Sequence, residues 1–195
     1  MHCKTLKQLF LQNSPTEMAK KSKIHFDQFE GYVTLILPLA KMCSKDNNKD
    51  TTVSPQSVFE SIERLAQVYP HAVEVLVFPY KHPDITYDQT MDCNDFDTII
   101  QNSNNKYRKK NRNIYVMDEV NLNQNDDDRK KSAQVHPVFQ LFLDALDFKK
   151  FVFDTQFYFI VKPDGIDGSY HYGKSLLDMQ DEITIAVKDL GQKEL

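Results

Sequence analysis

The sequence predicts a single α/β domain in which a central mixed sheet is flanked by helices. Two runs rich in Val, Ile and Leu, Tyr32 to Ala40 and Val73 to Phe78, read as strands buried on both faces. Between them an amphipathic stretch carries Val58, Phe59, Ile62, Leu65, Ala66 and Tyr69 on one stripe, so the order is strand, helix, strand. Further on, Lys162-Pro163-Asp164-Gly165 is a turn signal between two strand-like segments, which adds an antiparallel hairpin to the sheet.

The elements follow in order. Residues 1–20 read as a loosely ordered extension. Leu6, Leu9 and Phe10 suit a short amphipathic helix ended by Asn13-Ser14-Pro15. Ile24, Phe26 and Phe29 lead into the first core strand, and Cys43 lies just beyond it. A polar segment, Ser44 to Thr52, precedes the helix. Ser54 can cap that helix with Pro55 at its first position, while Ser57 and Glu60 offer an alternative capping-box spacing. Tyr69-Pro70 ends it, and the second strand closes at Pro79.

Asp92 to Gln101 reads as a short helix carrying Phe96, Ile99 and Ile100. The basic stretch Asn102 to Arg112 reads as a solvated loop, with phosphate binding a minor alternative, and Ile114 to Val120 as the third core strand. Gln124 to Ser132 is a charged insertion. His136-Pro137 opens a helix with Val138, Phe139, Leu141, Phe142, Ala145 and Leu146 apolar. The strand region Phe151 to Val161, the turn, and Ile166 to Tyr172 make the hairpin. A final helix offers Leu176, Leu177, Met179, Ile183, Ala186, Val187 and Leu190 to the core.

Composition bounds the function. A chain of 195 residues with 41% hydrophobic content is enough for one good core. The net charge of −4 with mixed signs gives no overall nucleic-acid or anionic-membrane footprint. The apolar runs are too short to span a bilayer, so no integral membrane segment is expected. The N-terminal MHCKTLKQLFLQNS lacks the apolar core of a secretory signal. Three widely spaced cysteines, Cys3, Cys43 and Cys93, are not a secreted disulfide framework, so a cytoplasmic, thiol-reducing compartment is expected. No CxxC or CxxxC, calcium-loop spacing or Gly-rich phosphate loop occurs, and no metal site is expected. His25, His71, His136 and His171 show no ligand spacing and read as surface or capping residues.

The strand–helix–strand unit with a cysteine after its first strand has a thioredoxin-type layout, and ligands in open α/β sheets gather outside the carboxyl ends of strands. GYVTLILPLAKMC, Gly31 to Cys43, resembles the glutathione peroxidase pattern Gly-Lys-Val-x-Leu-Ile-Val-Asn-Val-Ala-Ser-x-Cys, with Cys43 on the peroxidatic position. EVLVFPYKHPD, Glu74 to Asp84, is similar to that family's strand ending Phe-Pro-Cys-Asn-Gln-Phe-Gly. EVNLNQ (Glu119 to Gln124), HPVFQLFLDAL (His136 to Leu146) and FYFIVKPDGIDGSYHY (Phe157 to Tyr172) follow in the family's order. The resemblance runs from about Ile24 to the C-terminus and implies one thioredoxin-like domain over residues 1–195, with an N-terminal β-hairpin somewhere before Gly31 as the alternative to the Leu6–Phe10 helix.

It also implies a peroxidase that reduces hydrogen peroxide or organic and lipid hydroperoxides through Cys43, in a response to oxidative stress. A thiol, glutathione or thioredoxin, would be the electron donor, with no cofactor. The short connection between the Val138 helix and the Phe151 strand is similar to the family's monomeric type. The nucleophile must be a thiolate, and cations such as Lys41 and Lys45 can lower a thiol pKa. His82 falls on the family's glutamine position and can donate a hydrogen bond. Cys93 is the candidate resolving cysteine.

The chain departs from the pattern as well. It has no tryptophan, and the family's tryptophan and asparagine positions fall on Asp154 and Thr155, or on Thr155 and Gln156 if the register slips. An aspartate beside Cys43 would raise the thiol pKa. Pro38 replaces an asparagine inside a central strand and removes a ladder donor. The second reading is therefore a catalytically inactive relative that keeps the fold as a binding or regulatory module.

Overall fold

The computed structural model describes residues 16–18, 22–24, 26–41, 55–81, 94–109, 113–122, 135–151, 157–165, 168–172, 176 and 178–191. It opens with an antiparallel hairpin before Gly31, β1 (Thr16–Met18) and β2 (Ser22–Ile24), while the helix expected around Leu6, Leu9 and Phe10 lies outside the described residues. A 3-10 turn, Phe26–Phe29, then leads into β3 (Val33–Lys41). Next come helix α1 (Pro55–Val68), β4 (Val73–Lys81), α2 (Asn94–Lys109) and β5 (Ile114–Val116). Helix α3 (Pro137–Leu146), β6 (Phe157–Val161), β7 (Gly168–Tyr172) and α4 (Gln180–Gly191) complete the chain.

The main sheet has the order β5-β4-β3-β6-β7. β3 and β4 pair in parallel from Val33↔Val73 to Lys41↔Lys81, and β5 continues the parallel set. β6 and β7 are antiparallel, joined by the turn in which Gly165 donates to the Lys162 carbonyl at 2.8 Å. Gly165 adopts φ +64°, which explains glycine there. The sheet is therefore mixed, as the pattern of a βαβ unit plus a hairpin requires.

Strand alternation sorts the core into two layers. Leu35, Leu37, Val75, Val77, Tyr158 and Ile160 face one side, where Val58, Phe59 and Ile62 of α1 and Ile183 and Ala186 of α4 cover them. Ile36, Leu76, Phe78, Phe157 and Phe159 face the other, under α3. α3 lies across the strands rather than along one of them. Phe139 meets Phe78 of β4 edge-on at 5.2 Å, Phe142 stacks on Phe159 of β6 at 3.8 Å, and Phe148 past the helix end meets Tyr170 of β7 at 5.4 Å. The apolar positions of HPVFQLFLDAL thus serve β4 and β6, and Phe148 beyond them adds β7.

Three sequence expectations need correction. α2 runs on to Lys109, so the basic stretch after Gln101 is helix up to there, not loop. Its stripe continues from Phe96, Ile99 and Ile100 to buried Ser103, and Lys106 pairs with Glu63 of α1 at 2.6 Å. β4 continues through Pro79 to Lys81. β5 ends at Val116; beyond it a Met117 N–H bond to the Val77 carbonyl at 2.9 Å and a bridge between Val120 and Tyr80 keep the segment against β4. Pro79 has no N–H to offer β5 at this point, and Val120 instead donates to the Pro79 carbonyl at 2.9 Å. The charged insertion Gln124 to Ser132 lies outside the described residues.

Candidate functional site

The carboxyl ends of β3 and β4 stop side by side at Lys41 and Lys81. β6 runs antiparallel to β3, so its first residue, Phe157, enters the sheet at this same edge. α2 begins there too: Asp97 in its first turn accepts from Lys41 Nζ at 2.8 Å. Every candidate residue lies outside the described residues, but each is adjacent in chain to this edge. Cys43 follows Lys41 closely, His82 follows Lys81 directly, Cys93 directly precedes Asn94, and Asp154 and Thr155 come just ahead of Phe157. The described elements that flank these residues, β3, β4, α2 and β6, thus meet at one end of the sheet. Residues 44–52, which separate Cys43 from α1, also lie outside the described part.

The edge is paved with paired charges. In-register pairing sets the Lys41 and Lys81 backbones on neighbouring strands, and two carboxylates answer their ammonium groups. Lys41, with a side chain only 15% exposed, reaches Asp97 at 2.8 Å and Glu119 at 4.0 Å. Lys81 reaches Glu119 at 3.5 Å. The lysine expected to favour a Cys43 thiolate therefore has carboxylates beside its charge, and its field at the neighbouring residue is reduced accordingly.

Pro38 opens this end of the sheet. Its missing donor does not interrupt the ladder to β4, which continues through Pro38↔Phe78. The ladder to β6 stops at Ile36↔Phe159, so the gap left by the proline lies on the β6 side. The β3–β6 ladder thus ends short of Phe157, the first residue of β6.

Of the two readings the sequence left open for His136, surface or capping residue, the structure shows the cap, in an environment that neither anticipated. The Nδ1 atom accepts from the Val138 N–H at 3.4 Å, and the backbone N–H of His136 donates to the Asn121 carbonyl at 2.9 Å. The ring packs against Phe78 at 5.5 Å and Phe139 at 6.0 Å, on the α3 side of the β4 end. Burial pushes its pKa down to about 4. At neutral pH it is uncharged, with Nδ1 an acceptor and the ring proton on Nε2. The His-Pro step directly ahead of an apolar helix was the available signal. His171, expected at the surface, is instead buried on β7, with Nε2 at 2.6 Å from Ser169 Oγ and 2.8 Å from Glu182 Oε2 of α4. Both contacts use the same nitrogen, so the group is a tie between strand and helix rather than a nucleophile relay.

Among the described residues no cluster of three or more His, Cys, Asp or Glu side chains could hold a metal ion, and no helix is long and apolar enough to cross a membrane.

No family model matches the sequence, and no curated protein matches it. Solved structures do match the fold. Trgpx in its apo form aligns with a TM-score of 0.56 at 16% identity, over 90% of this chain and 94% of that one. T. cruzi GPX1 aligns with a TM-score of 0.55 at 14% identity, over 95% and 97% of the two chains. A thiol:disulfide interchange protein of the thioredoxin family from Chlorobium tepidum TLS gives 0.52 at 10% identity, over 89% and 94%. The fold is thioredoxin-like.

Proposed function

We propose that this chain is a thiol-based redox protein, a glutathione-peroxidase-like thiol peroxidase with Cys43 as nucleophile. The observation that carries this reading is that the described elements next in the chain to Cys43, His82, Cys93, Asp154 and Thr155 meet at one sheet edge. In open α/β sheets that edge is where ligands bind. The names of Trgpx and T. cruzi GPX1, and the collinear resemblance from Gly31 to Tyr172, favour a peroxidase within the fold.

The Cys43 thiolate would attack the O–O bond of a hydrogen, organic or lipid hydroperoxide. Cys43 becomes a sulfenic acid and the substrate leaves as water or an alcohol after taking up a proton. A thiol then condenses with the sulfenic acid, releasing water and forming a disulfide. Cys93, preceding α2 at the same edge, can supply that thiol, and glutathione or thioredoxin would return both electrons. His82 would donate a hydrogen bond to the reacting atoms. The reaction needs no cofactor, and the protein would act as a cytoplasmic monomer.

The second reading, a catalytically inactive binding or regulatory module, is favoured by the carboxylates around Lys41 and by Asp154 and Thr155 at the family's supporting positions. One assay separates the two: peroxide consumption with glutathione or thioredoxin regeneration, wild type against Cys43→Ser. Turnover that vanishes in the variant supports the peroxidase. Absence of turnover in both, with slow alkylation of Cys43 near neutral pH, rejects it and leaves the inactive module.

A further inference from the structure

A second polar site lies at the opposite end of the sheet. Thr34 and Glu74 are in-register partners on β3 and β4. Both are even-numbered, so both side chains leave the sheet on the α3 side, with Ile36 and Leu76. Thr34 is completely buried, and its Oγ1 has no hydrogen-bond partner. Glu74 Oε2 is equally cut off from solvent and also lacks one. The Glu74 side chain is hydrogen-bonded to Tyr115 of β5. Phe29 of the 3-10 turn packs edge-on against Tyr115 at 5.2 Å and against Phe26 at 5.9 Å, placing aromatic rings beside the group.

Two buried oxygens left unpaired on adjacent strands are costly, and polar groups in that condition usually share an internal water. Neighbouring strands lie about 4.8 Å apart, a span that one water bridges with a hydrogen bond on each side. We propose that Thr34 Oγ1 and Glu74 Oε2 hold one internal water, and that Glu74 sits there as a neutral carboxylic acid. The acid proton goes to the water, and the water donates to the threonine oxygen.

The surroundings suit a neutral acid. β3 brings Thr34, β6 brings Val161 opposite it, and the turn brings Phe26 and Phe29. The turn's own acids, Asp27 and Glu30, are exposed, and Lys162 beyond β6 pairs with Asp189 at 3.9 Å. Tyr115 is the titratable group that reaches Glu74. Burial pushes the Glu74 carboxyl up to about 7, against the opposing pull of the Tyr115 bond. Folding therefore takes up a proton. The unfolded side chain ionises near 4.5 while the folded one keeps its proton until about 7, so stability falls as pH rises across that window and is level above it.

The test is urea unfolding of wild type, Glu74→Gln and Thr34→Val across this pH range, with a high-resolution crystal structure at acidic pH. The wild-type minus Glu74→Gln difference should fall between about pH 4.5 and 7 and then flatten; a difference independent of pH overturns the neutral acid. Thr34→Val removes one partner of the water that bonds the acid, so the upper end of the falling window should move, and an unchanged window overturns the sharing. In the crystal, density within hydrogen-bond distance of both oxygens supports the water. A direct Thr34–Glu74 bond, or an empty gap, refutes it.

Discussion

Replacing His136 by asparagine isolates one charge equilibrium in the fold. Asparagine can still accept the Val138 N–H as a cap, so the helix start is preserved, but it cannot titrate. The folded histidine protonates at about 4 against an ordinary 6.5. In the unfolded chain it takes a proton first, so its contribution is fully present above 6.5 and is lost as pH falls toward 4. A gap of 2.5 units at 1.36 kcal/mol each is about 3 kcal/mol, and partial exposure of the ring reduces the expectation to about 2 kcal/mol. Protonation also removes the Nδ1 acceptor, so the cap and the charge fail together. Urea titrations of wild type and His136→Asn in half-unit steps from about pH 4 to pH 7 read this directly. The wild type should lose roughly 2 kcal/mol relative to the variant on acidification. A difference that stays constant over that range would falsify the buried, neutral cap. Glu74 contributes with the opposite sign over much of the window, so the wild-type curve alone should be nearly flat and only the difference is informative.

Two further outcomes are expected. Phe139 is fully buried and touches Phe78, Phe151 and Phe159, so Phe139→Ala should cost about 3–5 kcal/mol in urea unfolding; less than about 1 kcal/mol would mean that α3 is not held as described. Asp97→Asn removes one counter-charge of Lys41 and should raise the alkylation rate of Cys43 at neutral pH by roughly threefold, through a lower thiol pKa. A rate unchanged or slowed would show that Lys41 does not act on that thiol.

The strands and helices that bury a regular stripe were legible in the sequence because burial and periodicity coincide in them. Tyr32 to Ala40, the α1 stripe and the His136-Pro137 start are cases of this kind. The second half of α2 was not legible, since Asn, Lys and Ser residues carry little apolar signal. A buried serine and a charge pair with α1 hold it instead. Glu74 was hidden for the opposite reason: a lone acid in an apolar run reads as an outward position, and only the sheet pairing sets it beside Thr34. At the candidate site the sequence pointed to this sheet edge through strand order alone. The ion pairs of Lys41 join residues distant in the chain, which no local pattern encodes.

Pro38 also has a consequence for how the chain finds its native alignment. Sliding β3 by one residue along β4 turns the strand over, exchanging its two apolar sets between the layers. In that arrangement the position without an N–H would point into the β3–β4 ladder and break it. The misaligned strand then loses a backbone bond as well as its packing. A residue that looks like a flaw in a central strand is thus a penalty laid selectively on the wrong pairing, and it should make the collapsed chain abandon mispaired sheets sooner.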